Sequence, residues 1–466
     1  MAVKIALPKG RLMRRTAALL QMAGWGLDGY HEKARFYHLA SPRFTDVSAK
    51  IFHERDIPIQ VSIGNYDLGI CGGDWLAELL AKYPSSALVK IRELGYGTGS
   101  LYIVTSPQAP ADSVKGTVRI ASEYPNLAES YALKKRLSRF SIFPVWGGAE
   151  AYPPENATLA LVRARNEAEI ARSGMEAVGK VLNFSACLVV NRHSWESKDL
   201  NQVVASICDH CDTLPPEEEA LVEESPATEA PAQYLPVSNG ALRLALPDGH
   251  QQEAMMALLG RAGFVLGDYP SASGNRRPTI NLEGVTVKVI RPQDMPLQVA
   301  NGNFDLAIGG RDWLLDHRYQ FPTSPVKELL DLKMGWVKVV AVVAQDMPAA
   351  DVLGLRRMIE NKAISLRVAS EYVNIADKYA RDNRLGQYRI IPTWGATEAF
   401  LPDDADLLIE NTQTGSTIAR HNLKIIDTLF ESTACLIGNS RTRPGSRKAG
   451  LIRSIIETLR AAVEEV

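Results

Sequence analysis

The chain carries one unit twice. KIALPKGRL, beginning at Lys4, returns as RLALPDGHQ at Arg243, and RDIPIQVSIGNYDLGICGGDWL (residues 55–76) returns as QDMPLQVANGNFDLAIGGRDWL (residues 293–314). RIASEYPNLAESYA (119–132) returns as RVASEYVNIADKYA (367–380), with nine of fourteen positions identical, enough to require a shared backbone. PVWGGAEAY at Pro144 matches PTWGATEAF at Pro392, and FSACLVVN at Phe184 matches STACLIGN at Ser432, all in preserved order. Such repetition means that each copy builds its own core and that both build the same one. Two copies with a common surface then favour a pseudo-twofold pair that mimics a homodimer. The units are expected at residues 1–212 and 240–466.

Between them runs TLPPEEEALVEESPATEAPAQYLPVSN, residues 213–239. It is acidic and rich in Pro, Ala and Glu, the composition of an extended linker, and a tether of this kind keeps the units at high effective concentration. Within each unit, short apolar runs alternate with helical spacing. In the first, residues 4–7, 67–71, 101–105, 118–121 and 141–145 read as strands, and 12–23 and 127–137 as helices. Such alternation implies an α/β fold with a mainly parallel sheet covered on both faces. A late strand at 186–190 is expected to return to the opening lobe, which would make each unit bilobed around a cleft.

A net charge of −1 leaves no global pull toward nucleic acid or an anionic membrane, so an anionic ligand must be held by local groups. No run approaches a membrane span and the first residues lack the apolar core of a signal peptide, so a cytoplasmic protein is expected. Five cysteines in 466 residues make no disulfide framework. The single C-x-x-C, Cys208 and Cys211, lacks the second ligand pair that a structural zinc needs.

The stretch richest in chemistry is DLLIENTQTGST, residues 406–417. An apolar run, Leu407 to Ile409, leads through Glu410 and Asn411 into a hydroxyl-rich turn around Gly415, and residues 418–423 read as the start of a helix. Unpaired N–H groups at a helix start favour an anion. Thr412, Thr414, Ser416 and Thr417 add hydroxyl donors, and Gly415 permits close approach. Asp406 and Glu410 would repel a phosphate, so they suit the hydroxyls of a vicinal diol instead. Acid followed by T-G-x-T thus fits a ribose 5-phosphate, although a solvated polar turn is the plainer reading of so short a motif taken alone.

In order, LPKGRL, D-I-P with G and DLGI before GGD, ASEYPNL, W-G-x-x-E and D-x-x-x-E-N-T-x-T-G-S-T resemble the catalytic region of ATP phosphoribosyltransferase, the enzyme that opens histidine biosynthesis. The resemblance spans both copies apart from the linker. It implies bilobed units like the periplasmic-binding-protein type II fold, a dimeric building block, and transfer of the 5-phosphoribosyl group of PRPP to N1 of ATP with release of pyrophosphate. It also implies Mg²⁺ carried on substrate oxygens. Position by position, Thr412, Thr414, Gly415, Ser416 and Thr417 would take the 5-phosphate. Asp406 and Glu410, where the family more usually has Asp, would take the ribose diol. Glu398 would be a further hydroxyl partner and Arg291 a counter-charge for pyrophosphate or triphosphate; these two are the catalytic candidates. Lys9, Gly10 and Arg11 would hold the phosphates of ATP. The expected partners are ATP and PRPP, with no nucleic acid and no membrane. A homo-oligomer and a separate histidine-sensing regulatory subunit remain open, since a second catalytic-like copy stands where some members carry a regulatory domain.

The copies depart from the pattern in complementary ways. The first has Thr158 for Asp406, Val162 for Glu410, Asn166-Glu167-Ala168-Glu169 for Thr414-Gly415-Ser416-Thr417, and His53 for Arg291. The second has Asp248-Gly249-His250 for Lys9-Gly10-Arg11. One element kept in each copy predicts a single composite site, with PRPP on the second unit and Lys9 and Arg11 reaching in from the first. A catalytically lapsed regulatory paralogue that binds nucleotide or histidine is the alternative, and a solute-binding module on the same scaffold is a third.

Overall fold

The structure, a computed structural model, describes residues 2–32, 37–108, 116–214, 241–249, 251–271, 274–362, 365–441 and 446–464. Most of the stretch expected as a linker, and His250, lie outside these residues.

Each unit has two lobes. In the first, the opening lobe orders its strands His38–Ala40, Val47–His53, Val3–Lys9, Leu68–Gly72, Ala186–Asn191 and Leu88–Glu93. The distal lobe orders Glu176–Phe184, Gly99–Thr105, Leu159–Ala164, Val118–Ser122 and Phe140–Pro144. The second unit repeats both: Val285–Ile290, Leu242–Pro247, Leu306–Gly310, Ala434–Asn439 and Val326–Asp331, then Leu423–Ser432, Val337–Ala344, Leu407–Thr412, Leu366–Ser370 and Tyr388–Pro392. The late strand does return. Ala186–Asn191 pairs with Leu68–Gly72, and Ala434–Asn439 with Leu306–Gly310. Both returns are antiparallel, so the sheets are mixed where alternation alone suggested mainly parallel ones. A strand that comes back through the hinge from the distal lobe arrives in the opposite direction. The returning strand is fully buried in the first unit, which explains its unbroken apolar reading.

The units pack head to tail about a pseudo-twofold axis. The core of the first opening lobe is continuous with Val340, Val342, Ala369, Phe400 and Leu408 of the second distal lobe. The first distal lobe is continuous with Ala245, Ile290, Met295 and Phe304 of the second opening lobe. Two seams result, with matching polar contacts. Asp294 accepts the backbone N–H of Trp146 at 3.0 Å, and Asp56 is hydrogen-bonded by the backbone of Trp394. Buried Lys50 pairs with Asp404 at 2.8 Å on one seam, as Lys288 pairs with Glu155 at 2.6 Å on the other. Trp146 and Trp394 face each other near the axis, ring centroids 6.4 Å apart. Shared apolar cores make this an obligate kind of contact, unlike that of beads on a tether.

Candidate functional site

In open α/β sheets a ligand sits beyond the carboxyl ends of parallel strands, where connections diverge. In the second distal lobe Leu366–Ser370, Tyr388–Pro392 and Leu407–Thr412 run parallel, and each ends in a candidate. Glu371 follows the first, Trp394 to Glu398 follow the second, and the hydroxyl turn follows the third. Glu371, Glu398 and Glu410 interact electrostatically from these three ends. Burial, then repulsion from Glu398, pushes the Glu371 carboxyl up to about 7. Burial and both neighbours hold Glu410 well above the usual carboxylate range, against hydrogen bonds from the Asn411 backbone and the Thr397 side chain. Protonated carboxyls in such a cluster can both donate to and accept from sugar hydroxyls. The sequence marks Glu371 only as part of the repeated A-S-E-Y stretch and assigns it no role. Ser370 and Tyr372, its neighbours in S-E-Y, are packing groups: the Ser370 hydroxyl donates to the Ile409 carbonyl and the Tyr372 hydroxyl to Asp312.

The turn itself holds its shape with its own hydroxyls. Gly415 takes the left-handed backbone, φ +73°, and its N–H donates to the Thr412 hydroxyl at 2.9 Å. The Thr414 hydroxyl bonds that of Ser416 at 3.0 Å. The following helix, Ser416–Arg420, has only five residues, because Leu423 already begins the next strand. The expected longer helix and its dipole are absent, so an anion here would rest on N–H and hydroxyl groups. In the first unit the matching loop satisfies itself. The Asn166 side chain accepts the Glu169 N–H at 3.0 Å, and the Glu169 carboxylate accepts the Arg165 N–H at 2.7 Å. A carboxylate occupies the loop where the second unit leaves hydroxyls.

Asp406 does not belong to this site. It stands at the opposite end of Leu407–Thr412, about 20 Å away at strand rise, and accepts the Arg367 N–H at 2.9 Å and its guanidinium. Thr158, its counterpart, accepts the N–H of Arg119, the counterpart of Arg367. The position fixes a strand start in both copies.

Across the seam from the second distal lobe stands the first opening lobe. Lys9 ends its strand there and donates to the Tyr37 hydroxyl at 3.0 Å, while the Tyr37 ring stacks on His421 of the second unit. Arg55 lies 4.0 Å over the Trp394 ring. A cleft of ≈ 400 Å³ between the units is lined by Tyr37, His38, Asp346, Glu398, Asp403 and His421 among others. Burial, then Arg55 and Lys9, brings the His53 imidazole down to about 4. Gly10 (φ +84°) turns the chain into the helix Met13–Met22. Arg11, by contrast, is held in its own unit by Glu54 and Asp74, each at 2.8 Å, so it does not cross the seam.

Arg291 serves the other seam. Its Nε lies 2.9 Å from where a Cβ on Gly147 of the first unit would stand, and its guanidinium is 3.3 Å from Asp248. Arg276 joins it, bonded to Asp248 at 2.6 Å and to Glu150 of the first unit at 3.3 Å. Repeat symmetry pairs Arg276 with Tyr37: Val289 N–H donates to the Arg276 carbonyl as Ile51 N–H does to that of Tyr37. The seam with the intact turn thus has Tyr37 and His53 where the seam with the self-filled loop has two arginines. Tyr37 and His421 had no motif to mark them, since their meaning arises only when the units meet.

The chain combines bilobed α/β units with a hydroxyl-lined glycine turn and a carboxyl cluster at strand ends, and its relatives make it a phosphoribosyl-transferring enzyme. The ATP phosphoribosyltransferase (HisG) family model matches residues 53–210 and 291–461, well over half of the chain, and the chain belongs to that family. Among its relatives, the ATP phosphoribosyltransferase of Chlorobium phaeovibrioides is 32% identical over 231 residues, covering 48% of this chain and 73% of its own. That of Chlorobaculum parvum is 31% identical with the same coverage. Among solved structures, the ATP phosphoribosyl transferase (HisG:HisZ) complex from Thermotoga maritima is similar at 21% identity and a TM-score of 0.40, covering 48% of this chain and 100% of that one. Among the described residues no helix is long and apolar enough to cross a membrane, and no three His, Cys, Asp or Glu side chains form a group that could hold a metal ion.

Proposed function

We propose that the chain transfers the 5-phosphoribosyl group of PRPP to N1 of ATP at one composite site, on the seam between the first opening lobe and the second distal lobe. The observation that carries this is convergence at His421: Glu398, one of three interacting carboxyls on the unit with the intact turn, and Lys9 of the other unit both act on that ring, and Lys9 bonds the Tyr37 hydroxyl stacked against it. Thr412, Thr414, Gly415, Ser416 and Thr417 hold the 5-phosphate, while Glu410, Glu398 and Glu371 hold the ribose hydroxyls. Lys9, with the turn at Gly10, meets the phosphates of ATP. Asp406, Arg11 and Arg291 are not part of this site. The N1 lone pair attacks the anomeric carbon, the bond from that carbon to the pyrophosphate oxygen breaks, and its electron pair leaves with pyrophosphate. Positive charge builds on the sugar as it leaves, so fixed carboxyls and correct placement of two polyanions are what the protein contributes. Mg²⁺ would arrive on PRPP and neutralise departing pyrophosphate. Its ligands there would be substrate oxygens and water.

One observation favours a second reading, a lapsed paralogue that binds but does not turn over: both arginines, Arg276 and Arg291, face the self-filled seam. The purified chain with ATP, PRPP and Mg²⁺, assayed for phosphoribosyl-ATP with and without an added regulatory subunit, decides between them. Turnover abolished by Gly415→Glu and sharply reduced by Lys9→Ala, but kept in Asn166→Ala, supports the composite site. PRPP binding without turnover in every condition supports the paralogue.

A further inference from the structure

We infer that Tyr37 and His421 are positioning residues, which hold the Lys9 ammonium at the seam in register with the sugar-phosphate turn. This rests on the composite-site reading. A lysine on an exposed turn has four rotatable side-chain bonds and samples many rotamers, so a useful fixed charge needs a second anchor. Lys9 Nζ has one in the Tyr37 hydroxyl at 3.0 Å, with the ammonium 5.1 Å from the ring centroid. Tyr37 is itself fixed from two sides. Its carbonyl accepts the Ile51 N–H at 2.8 Å, and its ring lies on that of His421, centroids 4.6 Å apart and planes 5° from parallel. The His421 N–H donates to the Thr417 carbonyl at 3.1 Å, which ties the stack back to the turn. The path from Thr417 to His421, Tyr37 and Lys9 is continuous and crosses from one unit to the other.

The kind of anchor matters more than its existence. Arg11 is clasped by Glu54 and Asp74, and Arg276 and Arg291 share Asp248, so those charges are already met by carboxylates. A phenol orients an ammonium without cancelling its charge and leaves two of its three N–H donors for a ligand. Repeat symmetry sharpens this, because the position of Tyr37 is an arginine in the second unit. Tyrosine on the intact seam converts a charged site into a support for the neighbouring charge.

The test is a double-mutant cycle on the full chain, with kinetics in ATP and PRPP and direct PRPP binding measured alongside. Tyr37→Phe keeps the ring stack and loses only the hydroxyl. It should raise the KM for ATP about tenfold while leaving PRPP affinity and melting temperature unchanged. In the Lys9→Ala background the same change should add nothing. His421→Ala, which removes the stacked ring, should reproduce Tyr37→Phe, and His421→Phe, which restores a ring, should recover at least half of that loss. The inference is overturned if Lys9→Ala impairs ATP use while Tyr37→Phe does not, or if the two effects multiply. If Lys9→Ala changes nothing, the composite-site reading itself falls.

Discussion

Tyr37 and His421 come from units that share one repeated pattern, and their rings meet 4.6 Å apart on one seam, where on the other seam Arg276, the counterpart of Tyr37, reaches Glu150. The two seams of this pseudo-dimer have therefore diverged into different chemistry. One presents a hydroxyl turn, carboxyls and a lysine held by a phenol. The other is closed by its own ion pairs.

The first prediction separates two acids that sequence reasoning treated alike. Asp406→Thr installs the residue that the first unit uses at the same strand start, where Thr158 already accepts the equivalent N–H. It should leave the KM for PRPP within about twofold and lower stability by about 1 kcal/mol through loss of the Arg367 pair. Glu410→Gln keeps the shape of a carboxyl at the ligand end of that strand and should raise the KM for PRPP about tenfold or more. Steady-state kinetics on both variants would check this, and equal effects would contradict the placement of Asp406 outside the site.

The carboxyl cluster should also make stability fall as pH rises. A carboxyl whose folded pKa is raised binds more protons when native than when unfolded, so its stabilising protonation is present at low pH and lost on the way up. For Glu371, raised from 4.5 to about 7, the window is pH 4.5 to 7. Glu371→Gln removes that loss. It should match the parent at pH 4.5 and exceed it at pH 8 by about 1–2 kcal/mol, less than the full conversion because the carboxyl keeps some solvent. Denaturant unfolding at the two pH values reads the difference directly. A variant no more stable than the parent at pH 8 would show that the cluster is neutralised by other groups.

How far the sequence went can be traced through particular residues. The repeat made the two bilobed units and their pairing legible, since FSACLVVN and STACLIGN could only be late strands of equal fate. The turn from Thr412 to Thr417 was legible because local chemistry carries it. Direction along a strand was not: Asp406 and Glu410 lie four residues apart in sequence but on opposite flanks of the lobe. Partner choice was equally hidden. Lys9 and Arg11 are two positions apart on one turn, and only the presence of Glu54 and Asp74 decides that Arg11 turns inward. Arg291 reads as a site residue by motif, yet the head-to-tail arrangement sends it to the other seam. Properties that depend on which unit faces which had no local signal to read.

On the closed seam, Asp248 is the group that satisfies both arginines. Asp248→Ala leaves two half-buried guanidinium groups short of a carboxylate and should lower stability by about 1–3 kcal/mol, with turnover at the other seam retained. The freed pair should then accept an added anion. Millimolar pyrophosphate should raise the melting temperature of this variant by several degrees more than that of the parent. Equal shifts in the two proteins would show that Glu150 alone keeps the arginines occupied.

The last prediction concerns the joint between the units. Lys50 is 1% exposed, with its ammonium 2.8 Å from Asp404 of the second unit, which also accepts the Tyr66 hydroxyl at 3.0 Å. A buried ion pair contributes little beyond a well-packed apolar pair, but removing one partner leaves the other charge short of a carboxylate, here with only the more exposed Asp403 at 3.3 Å. Asp404→Ala should therefore cost about 2–4 kcal/mol, the lower end if Asp403 takes up the ammonium, while the double variant Lys50→Met with Asp404→Leu should recover most of that loss. Because Phe52, Phe400 and Leu408 belong to one continuous core around this pair, the loss should appear as earlier unfolding of both units in a single transition. Urea unfolding followed by tryptophan fluorescence would show it. Two separate transitions in the parent protein would mean that the seams join independent domains, and a composite site would then have no fixed frame to stand on.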